Sequence, residues 1–367
     1  MNYLIFFLSA IFLSLILTEI VRRFALKYKI LDYPNKAPER KIHQKPIPLF
    51  GGLALFFSFF LILFFSLITG LLKLETVVFK NIIGIFFASL VLIIGGLLDD
   101  LYNLSPTKQL IFSILAILIV IASGIGIKYI NNPFGKGLIF LEQKKFEILR
   151  FRGIPYYFSW PADLVTFIWL LIMIYALKLL AGLDGLVPGM TIIGSLIIFF
   201  LCLLTKFYQP DIGGLAIILA GVSFGFLFFN FHPAKIFLGT SGETFSGFIL
   251  GVLAIISGSK IATLLLVLGI PILDMIWVIL RRIFKEKRSP FLADKKHLHY
   301  RLLNFGFSHQ GAVIFLWGLA LIFGLIGIFF PTTKIKVLAL GILIFLMIGL
   351  AILIKNKKIK NELDNKR

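Results

Sequence analysis

The sequence is poor in cysteine, in acidic residues and in charge overall, and each shortage excludes a class of protein. Its 367 residues include one cysteine, Cys202, so neither a disulfide framework nor a cysteine-based metal site is available. Lysine and arginine number 37 against 17 aspartates and glutamates, yet charged residues make up only 15% of the chain. Apolar residues take their place: 59% of the chain is hydrophobic and the mean hydropathy is +1.00.

Long apolar runs predict a membrane protein built of helices. About 20 apolar residues cross the hydrocarbon layer as a helix, and lipid leaves unpaired backbone groups without partners. We therefore predict an all-α polytopic membrane protein, a single integral domain over 1–367, with about eleven spans. The first run ends in charged residues without a cleavage signal, so we interpret it as a span and not as a signal peptide. The predicted spans are 3–21, 50–72, 80–98, 110–129, 161–180, 187–204, 213–230, 245–258, 262–280, 313–330 and 336–354.

Basic residues concentrate in short loops and predict the orientation of the chain. Loops 22–49 and 281–312 are strongly basic, and the positive-inside rule places both in the cytoplasm. The N-terminus is then outside, and the basic tail 355–367 is inside. We attribute the net charge of +20 to orientation and to anionic lipid headgroups, not to nucleic acid. The other predicted cytoplasmic loops are 99–109, 181–186 and 231–244.

One external loop, 130–160, opposes this orientation because it is also basic. Within it, residues 137–149 predict a small external β-hairpin. The predicted turn of this hairpin is Gln143-Lys144-Lys145.

Carboxylates at or inside the apolar runs are the first candidates for chemistry. Asp99 and Asp100 end the third run, and one aspartate at the bilayer centre costs about 2.5–3.5 kcal/mol. The pair therefore marks either a water boundary or a functional site. Asp274 lies within the ninth run and is an intramembrane candidate, with pairing to Arg281 or Arg282 as the simpler alternative.

Two further clusters end or begin apolar runs. Asp184 ends the fifth run on a glycine-flanked turn, and Lys178 lies two turns earlier. The lysine either extends to the lipid headgroups or faces a phosphate site. Residues 239–243, Gly-Thr-Ser-Gly-Glu, precede a run and favour either phosphate binding by backbone N–H groups or a simple helix cap.

Basic residues and histidines form the last two clusters. His297 and His299 are two residues apart, which does not match the helical spacing of a zinc site. With Arg301 beside them, they favour a phosphate-binding loop. The segment 40–52 is either a basic anchor beside the membrane or part of the same site. In the predicted topology all five histidines lie on the cytoplasmic face, which suits a polyanionic soluble substrate meeting a membrane-embedded one.

These segments together resemble the polyprenyl-phosphate N-acetylhexosaminyl-1-phosphate transferases over nearly the whole chain. The His-x-His loop and 271–274 are more similar to the N-acetylglucosaminyl branch than to the muramoyl-pentapeptide branch. Such enzymes bind a nucleotide-activated sugar and Mg²⁺ from the cytoplasm, transfer sugar-1-phosphate to a lipid phosphate and release the nucleoside monophosphate. The most specific segments are 40–52, 95–104, 230–237 and 289–303.

The resemblance implies an enzyme of the inner membrane in a bacterium or archaeon, at the first membrane step of a cell-envelope glycan pathway. Its implied partners are a UDP-sugar, a polyprenyl phosphate and anionic lipids, with a homodimer left open. We predict Asp99, Asp100 and Asp184 as catalytic residues, and Asp184 with Glu243 as ligands of Mg²⁺. The predicted donor-binding or phosphate-binding residues are Arg40, Lys41, His43, Lys178, Asn230, Lys235, His297, His299 and Arg301.

The chain departs from the family pattern on the donor side. The family reads Asn-x-x-Asn-x-x-Asp-Gly-x-Asp-Gly-Leu at the end of span five, and only the last polar position, Asp184, is kept. The other positions are Tyr175, Lys178 and Ala181. Before span eight, the metal-binding aspartate is replaced by Thr240 and a serine by Glu243.

Three readings of these changes stay open. Glu243 supplies the lost metal ligand, or Lys178 replaces the metal as a fixed cation, or the protein is a non-catalytic relative that binds lipid phosphate or regulates. A transporter is the remote alternative, disfavoured because the polar groups gather at one face instead of the midplane and no internal symmetry is visible.

Overall fold

The structure is a computed structural model in which most of the chain is described. The described residues are 2–34, 43–132, 135, 137–151, 154–204, 208–258, 260–289 and 296–364, with the backbone alone for 149, 151, 154–156 and 354–364. The predicted phosphate-binding residues Arg40 and Lys41 lie outside these ranges.

Helices make up most of the molecule, as the apolar runs predict. A π-helical turn, Arg281–Lys285, follows the tenth of them. The helices are α1 (Tyr3–Lys27), α2 (Gly51–Ile68), α3 (Phe79–Tyr102), α4 (Pro106–Ala122), α5 (Ala162–Leu180), α6 (Leu186–Leu204), α7 (Pro210–Asn230), α8 (Gly239–Ile256), α9 (Ile261–Val267), α10 (Gly269–Leu280), α11 (Leu298–Phe305), α12 (His309–Phe329) and α13 (Thr333–Asp364).

Among the described residues, nine helices are long and apolar enough to cross a membrane. A tenth span results if α9 is joined to α10 and the π-helical turn, but this pair bends by 75°. The helix α4, with 17 residues, is shorter. The predicted count of eleven spans is therefore not supported. Hydropathy predicts the ninth run as one continuous span, because the residues stay equally apolar through the bend near Gly269 and Pro271.

Short antiparallel strand pairs replace the single predicted hairpin. The pairs are β1 with β2, β3 with β4, and β5 with β6. The turn predicted at Gln143-Lys144-Lys145 is wrong, since these residues lie inside β5 and the chain reverses between Phe151 and Ile154. Residues 143–148 are exposed, so polar side chains in this stretch do not mark a turn. The strands are β1 (Leu31–Asp32), β2 (Ile47–Pro48), β3 (Tyr129–Asn131), β4 (Leu138–Phe140), β5 (Glu142–Phe151) and β6 (Ile154–Pro161).

Helices α7 and α8 form the centre of the bundle. They are 78% and 83% buried, against 22% for α1 and 11% for α13, whose apolar faces are left for lipid. Helix α1 packs on α7, and α3 and α5 pack on α8. Gly221 and Gly225 bring α1 against α7, because a Cβ on either would lie 2.6 Å from a carbonyl oxygen of α1. Small residues at this spacing allow helices in lipid to pack closely.

The helix ends that carry the predicted site residues meet on one side of the bundle. Helices α3, α5 and α7 end there, and α2, α8 and α12 begin there. The backbone N–H groups of Gly51 and Gly52, which open α2, donate to the carbonyls of Phe237 and Leu238 at 3.1 and 2.8 Å. The grouping of polar clusters on one face is thus present in the fold. Which side of the membrane this face meets stays a prediction.

The helices at this face extend further than predicted, so the loops are shorter. Helix α3 continues to Tyr102 and α4 begins at Pro106, which leaves three residues of the predicted loop 99–109. Helix α8 begins at Gly239 instead of 245, and α13 continues to Asp364, so that most of the predicted tail is helical. The predicted loop 281–312 includes the π-helical turn, all of α11 and the start of α12.

Candidate active site

Asp99 and Asp100, near the end of α3, contact the first turn of α8. The backbone N–H of Thr240 donates to Asp100 Oδ1 at 2.9 Å, and its hydroxyl donates to Asp99 Oδ2 at 2.7 Å. A helix N-terminus presents unpaired N–H groups and the positive end of the helix dipole to an anion. Here Asp100 is that anion, so a carboxylate of the chain occupies the position at Thr240 that the sequence suggested for a phosphate.

Glycines allow this contact between α3 and α8. A Cβ on Gly96 would lie 2.7 Å from Ser241 Cβ and closer still to the backbone of that residue. Gly239 has φ +72°, and a Cβ there would lie 3.0 Å from Asp100 Cγ. The two helices therefore meet with almost no side chain between them, which sets the position of both aspartates.

Lys178, near the end of α5, is held inside the site. Its Nζ donates to Gln109 Oε1, and it lies 5.7 Å from the ring centroid of Tyr175. Gln109 Nε2 donates in turn to Asp99 Oδ1 at 2.7 Å and to the carbonyl of Leu104 at 2.8 Å. Together with Thr240, Lys178 and Gln109 line a small cavity. The lysine thus lies inside the bundle among the predicted site residues, and its role towards a phosphate stays a prediction.

Glu243, in the first turn of α8, joins this group. The charges that act on it are those of Lys178, Asp100 and Asp99. Glu243 therefore interacts electrostatically with Lys178 and with both aspartates. No contact among the described residues joins Glu243 to Asp184, the other predicted ligand of Mg²⁺.

The residues at this site do not fit the magnesium ion that the family resemblance implies. Magnesium needs near-octahedral oxygen ligands at about 2.0–2.1 Å. Both oxygens of Asp99 already accept hydrogen bonds from protein donors, and the Lys178 ammonium would repel the ion. Asp100 Oδ2 is buried and has no hydrogen-bond partner in the described part of the chain. One open oxygen beside a fixed cation is a poor magnesium site.

Asp184 forms a second polar cluster with two histidines. Its Oδ2 lies 2.7 Å from Nδ1 of His232 and accepts from the N–H of Ala234 at 3.2 Å. The backbone N–H of Asp184 donates to Nε2 of His309 at 2.8 Å. The two imidazole rings stack, with centroids 4.0 Å apart and an interplanar angle of 15°.

Among the described residues, Asp184, His232 and His309 are the one trio with metal-ligand atoms within 4.8 Å of one another. An ion bound to an imidazole nitrogen lies in the plane of that ring, and two nearly parallel stacked rings share no such position. His309 Nε2, moreover, already accepts a backbone hydrogen bond. We therefore interpret the cluster as a carboxylate–imidazole pair, Asp184 with His232, supported by the second ring.

The predicted phosphate loop is organised by Asp274. Its Oδ2 lies 2.7 Å from Nδ1 of His297, and its Oδ1 accepts from the N–H of Leu298, the first residue of α11, at 2.9 Å. All three groups are buried. Asp274 thus orients His297 and caps α11, a role that the sequence did not suggest.

His299 lies between this loop and the turn that holds Asp184. It is 1% exposed, its ring packs against Gly182, and neither ring nitrogen has a hydrogen-bond partner among the described residues. Burial lowers the pKa of His299 to about 3, so the imidazole is neutral near pH 7. It can offer one N–H donor to a ligand but no positive charge.

Two other predicted residues tie loops together. Asn230, at the end of α7, accepts from the N–H of Gly185 at 3.0 Å and donates to the carbonyl of Ile236 at 2.8 Å. Its side-chain amide is therefore engaged by backbone. His43 lies 3.1 Å from Asp32 through Nε2, and its Nδ1 lies 2.8 Å from the carbonyl of Lys45.

The remaining predicted residues differ in placement. Lys235 is exposed on the loop before α8, and Arg301 lies within α11.

Three site residues were missed by reasoning from the sequence: Gln109, His232 and His309. The sequence did give an indication of the two histidines, because the predicted topology places both on the face that carries the site. Nothing in the sequence indicated Gln109, because a glutamine in the first turns of an apolar helix is ordinary until its neighbours are known.

Known proteins are similar to this sequence over nearly its whole length. A family model described as Glycosyl transferase family 4 matches residues 82–258. A probable undecaprenyl-phosphate N-acetylglucosaminyl 1-phosphate transferase of Bacillus subtilis is 30% identical over 362 residues, 97% of this chain and 92% of the relative. A decaprenyl-phosphate N-acetylglucosaminephosphotransferase of Mycolicibacterium smegmatis is 29% identical over 95% of this chain and 88% of its own. A phospho-N-acetylmuramoyl-pentapeptide-transferase of Borreliella afzelii is 29% identical over 82% of this chain and 85% of its own.

Proposed function

Since the chain belongs to glycosyl transferase family 4, we propose that it transfers an N-acetylhexosamine-1-phosphate from a UDP-sugar to a polyprenyl phosphate. We place the reaction at the cytoplasmic face of the inner membrane, as the first membrane step of a cell-envelope glycan. The observation that carries the proposal is the meeting of helix ends at one face of an apolar bundle, where Asp99 and Asp100 contact the first turn of α8. A lipid phosphate reaches such a face from the bilayer, and a nucleotide sugar reaches it from water.

In the proposed reaction, an oxygen of the lipid phosphate attacks the phosphorus that carries the sugar. The bond from that phosphorus to the bridging oxygen breaks, and UMP leaves with the bridging oxygen. Catalysis of phosphoryl transfer depends mainly on positioning and on charge stabilisation. Asp100, with its open Oδ2, positions or deprotonates the lipid phosphate. Asp99, held by Gln109 and Thr240, fixes the geometry of the pair.

The donor is proposed to bind between the Asp184 cluster and α11. Arg301 supplies the positive charge for the diphosphate, because an arginine binds phosphate through several N–H groups. His299 supplies one neutral N–H donor, and Asp274 orients His297 beside it. His232, 39% exposed and bonded to Asp184, is placed to contact the nucleotide.

A non-catalytic relative that only binds lipid phosphate is the second candidate, and one observation favours it. Thr240 and Ala181 stand where the family pattern has carboxylates, and the Thr240 hydroxyl is committed to Asp99. Removal of one electrostatic partner of a transition state commonly costs about 10²–10³ in rate. Changes at several such positions would leave binding without useful turnover.

A transfer assay with the purified full chain in detergent separates the two candidates. Radiolabelled UDP-N-acetylglucosamine and undecaprenyl phosphate are combined, and labelled lipid is measured for the wild type and for Asp100→Asn. We expect labelled lipid from the wild type and a loss of about 100-fold or more in the variant. If no UDP-sugar gives product while lipid phosphate still raises the melting temperature, the second candidate replaces the first.

A further inference from the structure

A chain of hydrogen bonds connects Lys178, at the end of α5, to Asp99, near the end of α3. Lys178 Nζ donates to the carbonyl oxygen of the Gln109 side chain, and the amide nitrogen of Gln109 donates to Asp99 Oδ1 at 2.7 Å. The Thr240 hydroxyl donates to the other oxygen, Asp99 Oδ2, at 2.7 Å. The amide dipole of Gln109 is therefore aligned between a positive and a negative group.

We propose that Lys178, acting through Gln109, is a positioning residue that holds Asp99 in place where the family pattern would use a divalent cation. This inference rests on the proposed sugar-phosphate transfer and names the cation of that same site. It follows from the mismatch between the residues present and the magnesium that the family resemblance implies.

Both oxygens of Asp99 accept hydrogen bonds from protein donors. Asp99 is half-buried, and a carboxylate withdrawn from water requires compensating donors or charges. In this chain Gln109 and Thr240 donate to the two oxygens of Asp99, and Lys178 holds Gln109 from the other side. An ion bound to Asp99 would have to displace one of two 2.7 Å hydrogen bonds and approach a fixed ammonium group.

Hydrogen bonds at both ends of the Gln109 side-chain amide fix its orientation. Its nitrogen donates both to Asp99 and to the Leu104 carbonyl at 2.8 Å, and its oxygen accepts from Lys178. A flipped amide would place the NH₂ group against the ammonium and the oxygen against the carboxylate. The lysine thereby orients the glutamine, and the glutamine orients Asp99.

The same arrangement divides the roles of the two aspartates. Asp99 has both oxygens engaged, whereas Asp100 has one oxygen bonded to the Thr240 N–H and one buried oxygen without a partner among the described residues. Asp100 is then the residue that meets the lipid phosphate, and Asp99 is the fixed support.

The first test compares transfer by Lys178→Met, Gln109→Leu and the double variant, each with Mg²⁺ and with excess EDTA. Lys108→Met is the matched control, since Lys108 is an exposed lysine in the first turn of α4, beside Gln109. We expect wild-type transfer to survive EDTA, Lys178→Met to lose about 100-fold in kcat, and Lys108→Met to match the wild type. Because the two residues act as one unit, the double variant should be no slower than Lys178→Met.

The second test restores two positions of the family pattern with the paired substitutions Lys178→Asn and Thr240→Asp. We expect this variant to transfer only with Mg²⁺ and to gain a saturable, Mg²⁺-dependent rise in melting temperature that the wild type lacks. Wild-type transfer that EDTA abolishes and Mg²⁺ restores would overturn the proposal, as would equal rates for Lys178→Met and Lys108→Met.

The two tests also separate this inference from the proposed function. If the wild type forms no product from any UDP-sugar, the proposed transfer fails, and the melting temperature still decides the role of Lys178. A wild-type melting temperature that Mg²⁺ leaves unchanged, with a shift in the restored variant, supports the fixed cation. A saturable Mg²⁺ shift in the wild type contradicts it.

Discussion

Replacing Gly96 by alanine should disrupt the active site through the backbone alone. The new Cβ would lie 2.7 Å from Ser241 Cβ, and closer to the backbone of Ser241. Ordinary contact between carbon atoms needs about 3.5–4.0 Å, so α3 and α8 must separate by about 1 Å. Both hydrogen bonds from Thr240 to the aspartates, at 2.9 and 2.7 Å, would then be broken or badly stretched.

The expected cost of this substitution follows from the same displacement. Overpacking of a tight contact costs typically about 1–3 kcal/mol of stability, and a misplacement of about 1 Å can cost about 100-fold in rate. We therefore expect Gly96→Ala to fold with a lower melting temperature and to lose about two orders of magnitude in transfer.

A second glycine provides the matched control for this prediction. At Gly318, in α12, an added Cβ would meet no atom within 4 Å from the described chain beyond its own neighbours and helix backbone. Gly318→Ala should leave transfer unchanged and stabilise the helix slightly, because alanine is favoured over glycine in helices. If Gly96→Ala keeps the wild-type rate, or falls no further than Gly318→Ala, the close contact of α3 and α8 does not position the aspartates.

Three further predictions concern other parts of the chain. Asp211 accepts hydrogen bonds from the backbone N–H groups of residues 75–77; Asp211→Asn should therefore lower the melting temperature while the folded fraction keeps its kcat. Asp274→Asn should release His297 and the start of α11, so that the KM for the UDP-sugar rises in a transfer assay. The pKa of His299 is about 3 when folded and near 6.5 when unfolded, so the unfolded chain binds the proton and stability falls as pH drops below about 6.5. His299→Gln should flatten that fall, as measured by melting temperatures at about pH 7.5 and about pH 5.

Hydropathy predicted most of the fold because lipid demands long apolar helices. It failed where the local sequence stays equally apolar through a change in direction, as at the 75° bend between α9 and α10. It also failed in β5, where an exposed strand carries Gln143 and two lysines as readily as a turn would. Both failures concern the path of the backbone, which composition does not encode.

Reasoning from the sequence predicted which face of the bundle carries the site residues. It predicted less well which of these residues contact one another. Charge and orientation placed Asp99, Asp184 and His297 on one side of the bundle, and the structure brings that side together. The partners of these residues depend on packing between helices that are distant in sequence. The approach of Gln109 to Lys178 across 69 positions illustrates this, because nothing in either local sequence indicates it.

The most direct test of the account follows the phosphorus atom next to the sugar. UDP-N-acetylglucosamine labelled with ³²P at the β-phosphate is incubated with undecaprenyl phosphate and the purified chain, and the label is followed into lipid and nucleotide. The account predicts label in the lipid fraction, an equal amount of unlabelled UMP, and loss of both with Asp100→Asn. Label that stays in UDP while sugar enters the lipid, or label that never leaves the UDP-sugar, would contradict sugar-phosphate transfer at this site.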